Sequence, residues 1–189
     1  QEVGKVHVAA DIGCHALGTF EPFHTGHSIL GYGMSLASRA GVSPMMQRRT
    51  LAIMGDGGFW HNGLLTGVQS ALFNGDYAVL LIFKNGYSSA TGTQELISTP
   101  PEDAKSGAGD KGQSLAHTNR TIESTLQGLG VKWLRTVHTY EVDQMRQTLK
   151  EAFTSDFDGL KVIVAEGECQ LERQRRLKPW IASLLKKGE

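Results

Sequence analysis

Residues 51–94 read LAIMGDGGFWHNGLLTGVQSALFNGDYAVLLIFKNGYSSATGTQ, and this stretch decides the fold. It opens with a short apolar run, typical of a buried parallel strand, that stops at the glycine turn of residues 55–58. Apolar residues then repeat at helical spacing through residues 61–74, and a second apolar run occupies residues 77–83. This strand–turn–helix–strand order predicts an open α/β sheet, which binds ligands at the carboxyl ends of its strands.

Each of the two strands is followed by a polar side chain. Asp56 lies in the glycine turn after the first strand, and Asn85 follows the second. A glycine turn that leads into a helix presents free N–H groups and the positive end of the helix dipole, which suits a phosphate. A carboxylate in that turn would repel phosphate unless a cation lay between them, and Mg²⁺ often bridges a carboxylate to diphosphate oxygens. The sequence therefore predicts a magnesium–diphosphate site, with Asn85 and a backbone carbonyl just beyond it as neutral ligands.

Several motifs in the chain resemble those of a known family. Gly55-Asp56-Gly57, followed at the appropriate distance by Asn85, is similar to the GDG…N motif of thiamine-diphosphate enzymes. The sequence TGTQ at residues 91–94 resembles the T-G-x-Q element of 2-oxoacid:ferredoxin oxidoreductases. DIGC at residues 11–14 and AEGEC at residues 165–169 look like parts of the thiamine-binding domain of indolepyruvate ferredoxin oxidoreductases. The resemblance covers most of the chain.

The resemblance implies a set of cofactor-binding residues. Asp56, Asn85 and the backbone carbonyl of Tyr87 would hold Mg²⁺, and the backbone of Gly57 and Gly58 would contact the diphosphate. The other residues implied to bind the cofactor are Cys14, Leu30, Gly31, Gly55, Thr91, Gly92 and Gln94. Leu30, before a glycine, would wedge between the two rings of the cofactor, whereas a leucine at a predicted helix start is commonly a core residue. Cys14 would lie close to the cofactor, the alternative being a small buried hydrophobe.

Three histidines, His15, His24 and His27, lie in or beside the irregular stretch of residues 16–25. We expect them to line the substrate pocket as catalytic groups, because a near-neutral pKa suits proton transfer. Packing within the loop is the alternative for each of them. Two of them also have H-x-x-H spacing, but the sequence offers no obvious third ligand for a metal.

The remaining chain continues the alternation of strands and helices. Further strands are predicted at residues 6–10, 131–137 and 160–165, and helices at residues 28–40, with Ser28 as the N-cap, 122–129 and 142–153. This order predicts a doubly wound, mostly parallel α/β sheet with helices on both faces. Residues 1–168 would form the diphosphate-side binding domain, and residues 169–189 a basic linker that Pro179 breaks into two short helical pieces. Residues 98–118, polar and rich in glycine and proline, are either a lid over the site or disordered.

Composition excludes several classes of protein. The 19 basic and 19 acidic residues cancel, so no overall field attracts nucleic acid or a membrane surface. No apolar run approaches the ~20 residues that a membrane-spanning helix needs. Cys14 and Cys169 provide neither a disulfide framework nor a CxxC metal site, and a reducing cytoplasm is expected. The chain begins with Gln1 rather than Met, which favours a segment of a longer polypeptide.

The resemblance also implies an activity, the oxidative decarboxylation of a 2-oxoacid (an arylpyruvate such as indolepyruvate) to an acyl-CoA. Coenzyme A and ferredoxin would be the partners in that reaction, with [4Fe–4S] clusters elsewhere in the full protein. A glutamate on a pyrimidine-binding domain, in the same or another chain, would activate the cofactor, often across a homodimer interface. The chain alone is therefore expected to bind cofactor weakly without turnover. The alternatives are a non-redox thiamine-dependent decarboxylase or carboligase, and a nucleotide-fold binding module without thiamine.

Overall fold

The computed structural model describes residues 3–45, 49–99 and 120–187. The strands in this part of the chain are β1 (Val6–Ala10), β2 (Ser28–Ile29), β3 (Arg49–Gly55), β4 (Ala78–Lys84), β5 (Tyr87–Ser88), β6 (Gln94–Glu95), β7 (Trp133–His138) and β8 (Leu160–Glu166). Six of them form one sheet in the order β2-β1-β3-β4-β8-β7, and every neighbouring pair is parallel. A short antiparallel pair, β5-β6, follows β4.

The register of β3 and β4 places their carboxyl ends side by side. Leu51 pairs with Val79, and the ladder continues to Gly55 opposite Phe83. The next residues of the two strands, Asp56 and the segment 84–85, therefore leave the sheet at neighbouring points. In a parallel sheet all carboxyl ends share one edge, so the loops after β1 and β8 reach the same region.

Helices cover both faces of the sheet, as a doubly wound fold requires. The longer helices are Ser35–Val42, a continuous run at residues 56–74 that we call the central helix, Ile122–Gly128, Val142–Thr154 and Gln170–Lys187. The central helix consists of α-helical Asp56–Gly58, π-helical Phe59–Gln69 and α-helical Ser70–Asn74. It ends at Gly75, which adopts the left-handed conformation typical of a helix stop.

Two hydrophobic clusters lie on opposite faces of the sheet. Alternate residues of β4 enter them, because successive strand residues point to opposite sides. One cluster contains Leu36, Met54, Phe59, Leu80, Ile82, Ile122 and Leu126. The other contains Val79, Leu81, Trp133, Phe153 and Ile163. Burial of each large side chain in these clusters stabilises the fold by about 1.5–3 kcal/mol. The predicted doubly wound, mostly parallel sheet with helices on both faces is confirmed.

Several predicted element boundaries were wrong. Ser28 is not the N-cap of a helix, because Ser28 and Ile29 pair with β1 as an edge strand, and the helix begins at Ser35 with Met34 as its N-cap. The central helix begins at Asp56 rather than His61, so its first turn contains the acidic residue itself.

Pro179 does not divide the last helix, which runs unbroken over Gln170–Lys187 with the proline inside it. A proline removes one backbone hydrogen bond, but the exposed surroundings of this helix allow water to satisfy the freed carbonyl. The prediction of a lid or a disordered stretch at residues 98–118 falls mainly on residues 100–118, which lie outside the described residues. Among the helices of the described ranges, none is both long and apolar enough to cross a membrane.

Gly41 offers a simple test of the first helix. It lies inside Ser35–Val42 rather than after it, and a Cβ added there would meet no atom within 4 Å. We expect Gly41→Ala to stabilise the protein by about 0.5–1 kcal/mol, because alanine loses less backbone entropy on folding into a helix. Urea unfolding measures this change. A destabilised variant would show that the helix stops before residue 41.

Candidate functional site

A cavity of about 500 Å³ opens at the carboxyl edge of the sheet. Its walls come from the loop after β1, the first turn of the central helix, the loop after β4 and the residues that follow β8. Nine of the predicted site residues line it: Cys14, His15, Gly55, Asp56, Gly57, Gly58, Asn85, Tyr87 and Thr91. The residues that follow separate strands in the sequence thus meet around one space.

Asp56 ties the ends of β3 and β4 together. Its side chain is buried, and Oδ2 accepts hydrogen bonds from the backbone N–H groups of Asn85 (2.8 Å) and Gly86 (2.7 Å). Oδ1 accepts the N–H of Gly57 at 2.9 Å. Burial raises the pKa of Asp56 to about 6, although backbone hydrogen bonds, those from Asn85 and Gly86 first, oppose that rise by favouring the carboxylate. The carboxyl group and residue 85 therefore adjoin, as a shared ion requires.

The side chain of Asn85 is also oriented by its own loop. Its Oδ1 accepts the N–H of Tyr87 at 3.0 Å and the hydroxyl of Ser89 at 3.4 Å. The same hydroxyl lies 3.4 Å from the carbonyl oxygen of Tyr87 and 3.2 Å from Sγ of Cys169. The carboxylate of the central helix's first turn and the amide and carbonyl groups of the loop after β4 thus belong to residues that line one cavity. This oxygen-only set suits a small hard cation such as Mg²⁺.

The central helix presents its amino terminus to the cavity. Gly55 is the N-cap, in an extended conformation, and no side chain caps the helix. The N–H of Gly57 is used by Asp56, so a diphosphate contact from Gly57 would compete with that bond, whereas Gly58 lies one residue further into the first turn. A helix terminus of this kind, beside glycines that let a ligand approach the backbone, suits an anion.

Asp11 is a buried acid at the carboxyl edge of the sheet whose role the sequence alone does not indicate. It follows β1 and is fully buried, and its Oδ1 accepts the N–H of Ile12 at 2.6 Å. Both of its carboxylate oxygens lie 2.8 Å from the N–H of Gly33. Burial raises the pKa of Asp11 to about 6, against the lowering effect of these donors and of His61. Its place directly after a strand, like that of Asp56, is the signal that could have identified it.

Asp11→Asn should change how stability depends on pH. The folded-state pKa of about 6 lies above the ordinary aspartate pKa of 3.8, so ionisation of Asp11 costs stability as pH rises between these values. Asparagine cannot ionise. We therefore expect the free energy of unfolding of the Asp11→Asn variant, relative to that of wild type, to increase by about 2 kcal/mol from pH 4.5 to pH 7.5, as a pKa shift of this size implies. Urea unfolding at both pH values measures the change, and parallel pH profiles would contradict it.

Lys84 is a half-buried group that the sequence did not identify. It precedes Asn85, and its Nζ lies 2.9 Å from Glu123 and 3.1 Å from Glu166. Burial lowers the pKa of Lys84, but the hydrogen bonds and charges of the two glutamates outweigh it and leave the pKa raised. The end of β4 is thereby joined to β8 and to the Ile122–Gly128 helix.

The three histidines occupy different places. His15 lines the cavity beside Phe83, with ring centroids 5.9 Å apart, and its buried Nε2 has no hydrogen-bond partner among the described residues. Burial lowers the pKa of His15, against a hydrogen bond to the backbone of Asp11. His27 lies away from the cavity, and its Nδ1 accepts the N–H of Val8 at 2.9 Å. His24 is exposed and also does not line the cavity.

The geometry therefore supports only His15 as a pocket residue. In the described part of the chain no group of three or more His, Cys, Asp or Glu residues could hold a metal ion, which leaves the H-x-x-H pair without further ligands.

The remaining predicted residues do not line the cavity. Leu30 is 72% exposed, and neither it nor Gly31 lines the cavity. Gly92 and Gln94 also lie outside the lining, with the side chain of Gln94 bonded to Thr91. The carbonyl of Gly92 accepts a hydrogen bond from Arg175 at 2.9 Å, which joins this loop to the last helix.

Comparison with known proteins decides the family. Residues 11–165 match the family described as thiamine pyrophosphate enzyme, C-terminal TPP binding domain. The chain belongs to this family. The resemblance inferred from the GDG…N motif is thereby confirmed, and a nucleotide-fold module unrelated to thiamine is not supported.

The chain is also similar to subunits of a redox enzyme. It is 28% identical over 177 residues to indolepyruvate oxidoreductase subunit IorA of Archaeoglobus fulgidus, which covers 93% of this chain and 26% of the relative. It is 26% identical over 161 residues to the IorA subunit of Methanothermobacter thermautotrophicus, covering 85% of this chain and 24% of the relative. The chain thus spans about a quarter of the length of these curated relatives.

Solved structures share the fold. A 2-oxoglutarate:ferredoxin oxidoreductase from Magnetococcus marinus, with 2-oxoglutarate, coenzyme A and succinyl-CoA bound, superposes with a TM-score of 0.68 at 15% identity, over 88% of this chain and 55% of the other. Benzoylformate decarboxylase from Polynucleobacter necessarius superposes with a TM-score of 0.53 at 14% identity, over 87% and 30% of the two chains. At these identities the likeness shows the fold of thiamine-binding domains and not the reaction.

Proposed function

We propose that this chain is the thiamine-diphosphate-binding part of an oxidoreductase that oxidatively decarboxylates a 2-oxoacid, an arylpyruvate such as indolepyruvate. Electrons would pass to ferredoxin through [4Fe–4S] clusters elsewhere in the full protein, and the acyl group to coenzyme A. The observation that carries the proposal is the meeting of Asp56 and Asn85 at one cavity beside a helix amino terminus, in a chain of the thiamine pyrophosphate family. The similarity to IorA subunits supports the redox assignment over others.

The site residues fit Mg²⁺ and a diphosphate. Oδ1 of Asp56 accepts one backbone N–H and keeps further lone-pair capacity, and the 3.4 Å contact of Ser89 with Asn85 Oδ1 is weak enough for a cation to replace. Asp56, Asn85 and the Tyr87 carbonyl would hold the ion, with the first turn of the central helix facing the diphosphate. When bound, thiamine diphosphate supplies the nucleophilic carbon that a 2-oxoacid needs for decarboxylation.

His15 is the titratable side chain best placed to serve the substrate. Its lowered pKa keeps the imidazole neutral near pH 7, so that it can accept a proton from a group in the cavity. Glu168 also lines the cavity, but it forms ion pairs with Arg173 and Arg176. Neither residue matches the glutamate that a pyrimidine-binding domain would provide. The chain alone should therefore bind cofactor without turnover, and oxidation of indolepyruvate by the purified chain would contradict this.

The remaining partners follow from the same proposal. A pyrimidine-binding domain in this or another chain would complete the site, in a homodimeric assembly located in the cytoplasm. Residues 1–168 would serve the cofactor, and the basic segment of residues 169–189 would lead toward the rest of the protein.

Trp60 provides the direct test of cofactor binding. It lies next to the glycine turn and packs edge-on against Phe59, with ring centroids 4.9 Å apart. Its Nε1 donates a hydrogen bond to Oγ of Ser98 at 2.8 Å. We expect thiamine diphosphate to change its fluorescence when Mg²⁺ is present and not when EDTA replaces Mg²⁺. Trp60→Phe is the control, because Trp133 and Trp180 would then be the remaining emitters. The proposal would be overturned if the wild-type chain did not bind thiamine diphosphate, with or without Mg²⁺, in both fluorescence and calorimetric titrations.

A non-redox thiamine-dependent decarboxylase or carboligase is the second candidate, because a benzoylformate decarboxylase shares the fold. The oxidoreductase passes electrons from the substrate to an external acceptor, whereas the non-redox enzyme does not. The full complex should reduce ferredoxin or a viologen dye with a 2-oxoacid only when coenzyme A is present. Release of CO₂ without any acceptor being reduced would favour the decarboxylase.

A further inference from the structure

Two hydroxyl groups face each other across the first turn of the central helix. The Tyr32 hydroxyl lies 3.0 Å from Oγ of Ser88, although the two residues come from the loop before the Ser35–Val42 helix and from β5. Both residues line the cavity, and neither belongs to the GDG…N or T-G-x-Q motifs. We call them the hydroxyl pair.

The hydroxyl pair lies directly against Gly57. A Cβ built on Gly57 would come within 2.2 Å of the Tyr32 hydroxyl oxygen and 3.2 Å of Ser88 Oγ. The two oxygens therefore occupy the space beside the helix amino terminus that a side chain at residue 57 would fill. The ring of His61, 5.0 Å from that of Tyr32, packs against the tyrosine.

A count of hydrogens shows what the pair can do. Two hydroxyl groups carry two O–H hydrogens, and the bond between them uses only one. Among the described residues no hydrogen bond uses the other, so one O–H is available to a ligand. A donor in a partly buried cavity beside a helix amino terminus favours an anionic acceptor, because hydrogen bonds to charged groups are the stronger ones.

We infer that the Tyr32–Ser88 hydroxyl pair donates a hydrogen bond to the diphosphate of the cofactor, as a binding element additional to the metal and the helix terminus. This inference rests on the proposed function. Either hydroxyl can donate its hydrogen to the ligand. The other hydroxyl then donates its own hydrogen to the first one. Loss of one hydroxyl leaves the second free to donate directly, whereas loss of both removes the donor.

Comparison of the single variants with the double variant therefore distinguishes a contact with the ligand from a purely structural hydrogen bond. We expect Tyr32→Phe and Ser88→Ala each to weaken Mg²⁺-dependent binding of thiamine diphosphate by about threefold or less. The double variant should lose about tenfold or more, the size of one hydrogen bond to a charged group. If the pair were only a structural link, each single variant would already break it, and the double variant would bind no worse than the singles.

The measurement is calorimetric titration of the full chain with Mg²⁺ and thiamine diphosphate, repeated with Mg²⁺ and inorganic pyrophosphate. The loss in the double variant should appear with both ligands, since both carry the diphosphate. Tyr140→Phe is the matched control, because Tyr140 is 72% exposed and its hydroxyl bonds only to Gln170 among the recorded side-chain contacts. Thermal unfolding of every variant checks that the fold is intact.

Three results would overturn the inference: a double variant equal to the single variants, wild-type affinity in all variants, or a loss confined to thiamine diphosphate. Each can occur while the wild-type chain still binds cofactor, so the proposed function survives them. A wild-type chain that binds neither ligand would instead overturn the proposed function and this inference with it.

Discussion

Replacing Asp56 with asparagine should weaken magnesium-dependent binding of thiamine diphosphate by at least about 100-fold. The reason is charge: of the three groups proposed to hold the ion, only Asp56 is anionic, since Asn85 and the Tyr87 carbonyl are neutral. Without it, Mg²⁺ would have to be bound by neutral protein oxygens and the diphosphate alone. A loss of about 3 kcal/mol corresponds to this factor.

The measurement is a titration at several Mg²⁺ concentrations, followed by Trp60 fluorescence and by calorimetry. Asp143→Asn is the matched control, because Asp143 is an exposed acid in the first turn of the Val142–Thr154 helix, away from the cavity. Asp56 also accepts three backbone hydrogen bonds, so the melting temperature of the variant must be measured to separate lost affinity from lost structure. Binding within threefold of wild type would exclude Asp56 as a ligand.

Gly33→Ala should destabilise the protein by about 2–5 kcal/mol. Gly33 has a φ of +78°, which costs an L-residue about 1–2 kcal/mol. Packing also leaves no room for a side chain at residue 33, since a Cβ there would lie 2.5 Å from the Gly58 carbonyl oxygen and 2.8 Å from the backbone nitrogen of Gly63. Both of those atoms are backbone atoms of the central helix, so they cannot rotate away, and overpacking of this kind costs about 1–3 kcal/mol.

Gly75→Ala separates the two causes. Gly75 also has a positive φ, of +64°, but a Cβ there would meet nothing within 4 Å, so only the backbone cost of about 1–2 kcal/mol applies. Urea unfolding of both variants should therefore show the larger loss at residue 33. Because the collision is with the first turns of the helix that faces the cavity, Gly33→Ala should also reduce cofactor affinity. Equal destabilisation at the two positions would mean that the close approach of Gly33 to the helix does not exist.

The parts of the fold that depend on local pattern could be predicted from the sequence. Apolar runs identified β3 and β4, and the residues after each run identified Asp56 and Asn85 as neighbours, because parallel strands share one carboxyl edge. The Asn74-Gly75 stop of the central helix is likewise a local signal. The motifs then identified the family without knowledge of the tertiary structure.

What the sequence did not reveal depends on contacts between distant residues. Asp11 binds the backbone of Gly33, and Tyr32 meets Ser88, pairs separated by 22 and 56 positions. Nothing in the local pattern around these residues indicates which partner each one finds. Pairing with β1 likewise turned Ser28 from an expected helix cap into an edge-strand residue, since tertiary pairing overrides local propensity.

The hydrogen bonds from Asn85 and Gly86 to the Asp56 carboxylate have a consequence for the order of events. They join the loop after β4 to the first turn of the central helix through protein atoms alone, so Asp56 and residue 85, two of the groups proposed to hold the metal, adjoin without it. Binding of the proposed metal would then need little further ordering of the chain, and its affinity would not be reduced by the entropy of assembling a disordered loop. Removing the proposed ion with a chelator would therefore leave these two loops joined, and the site able to bind the ion again.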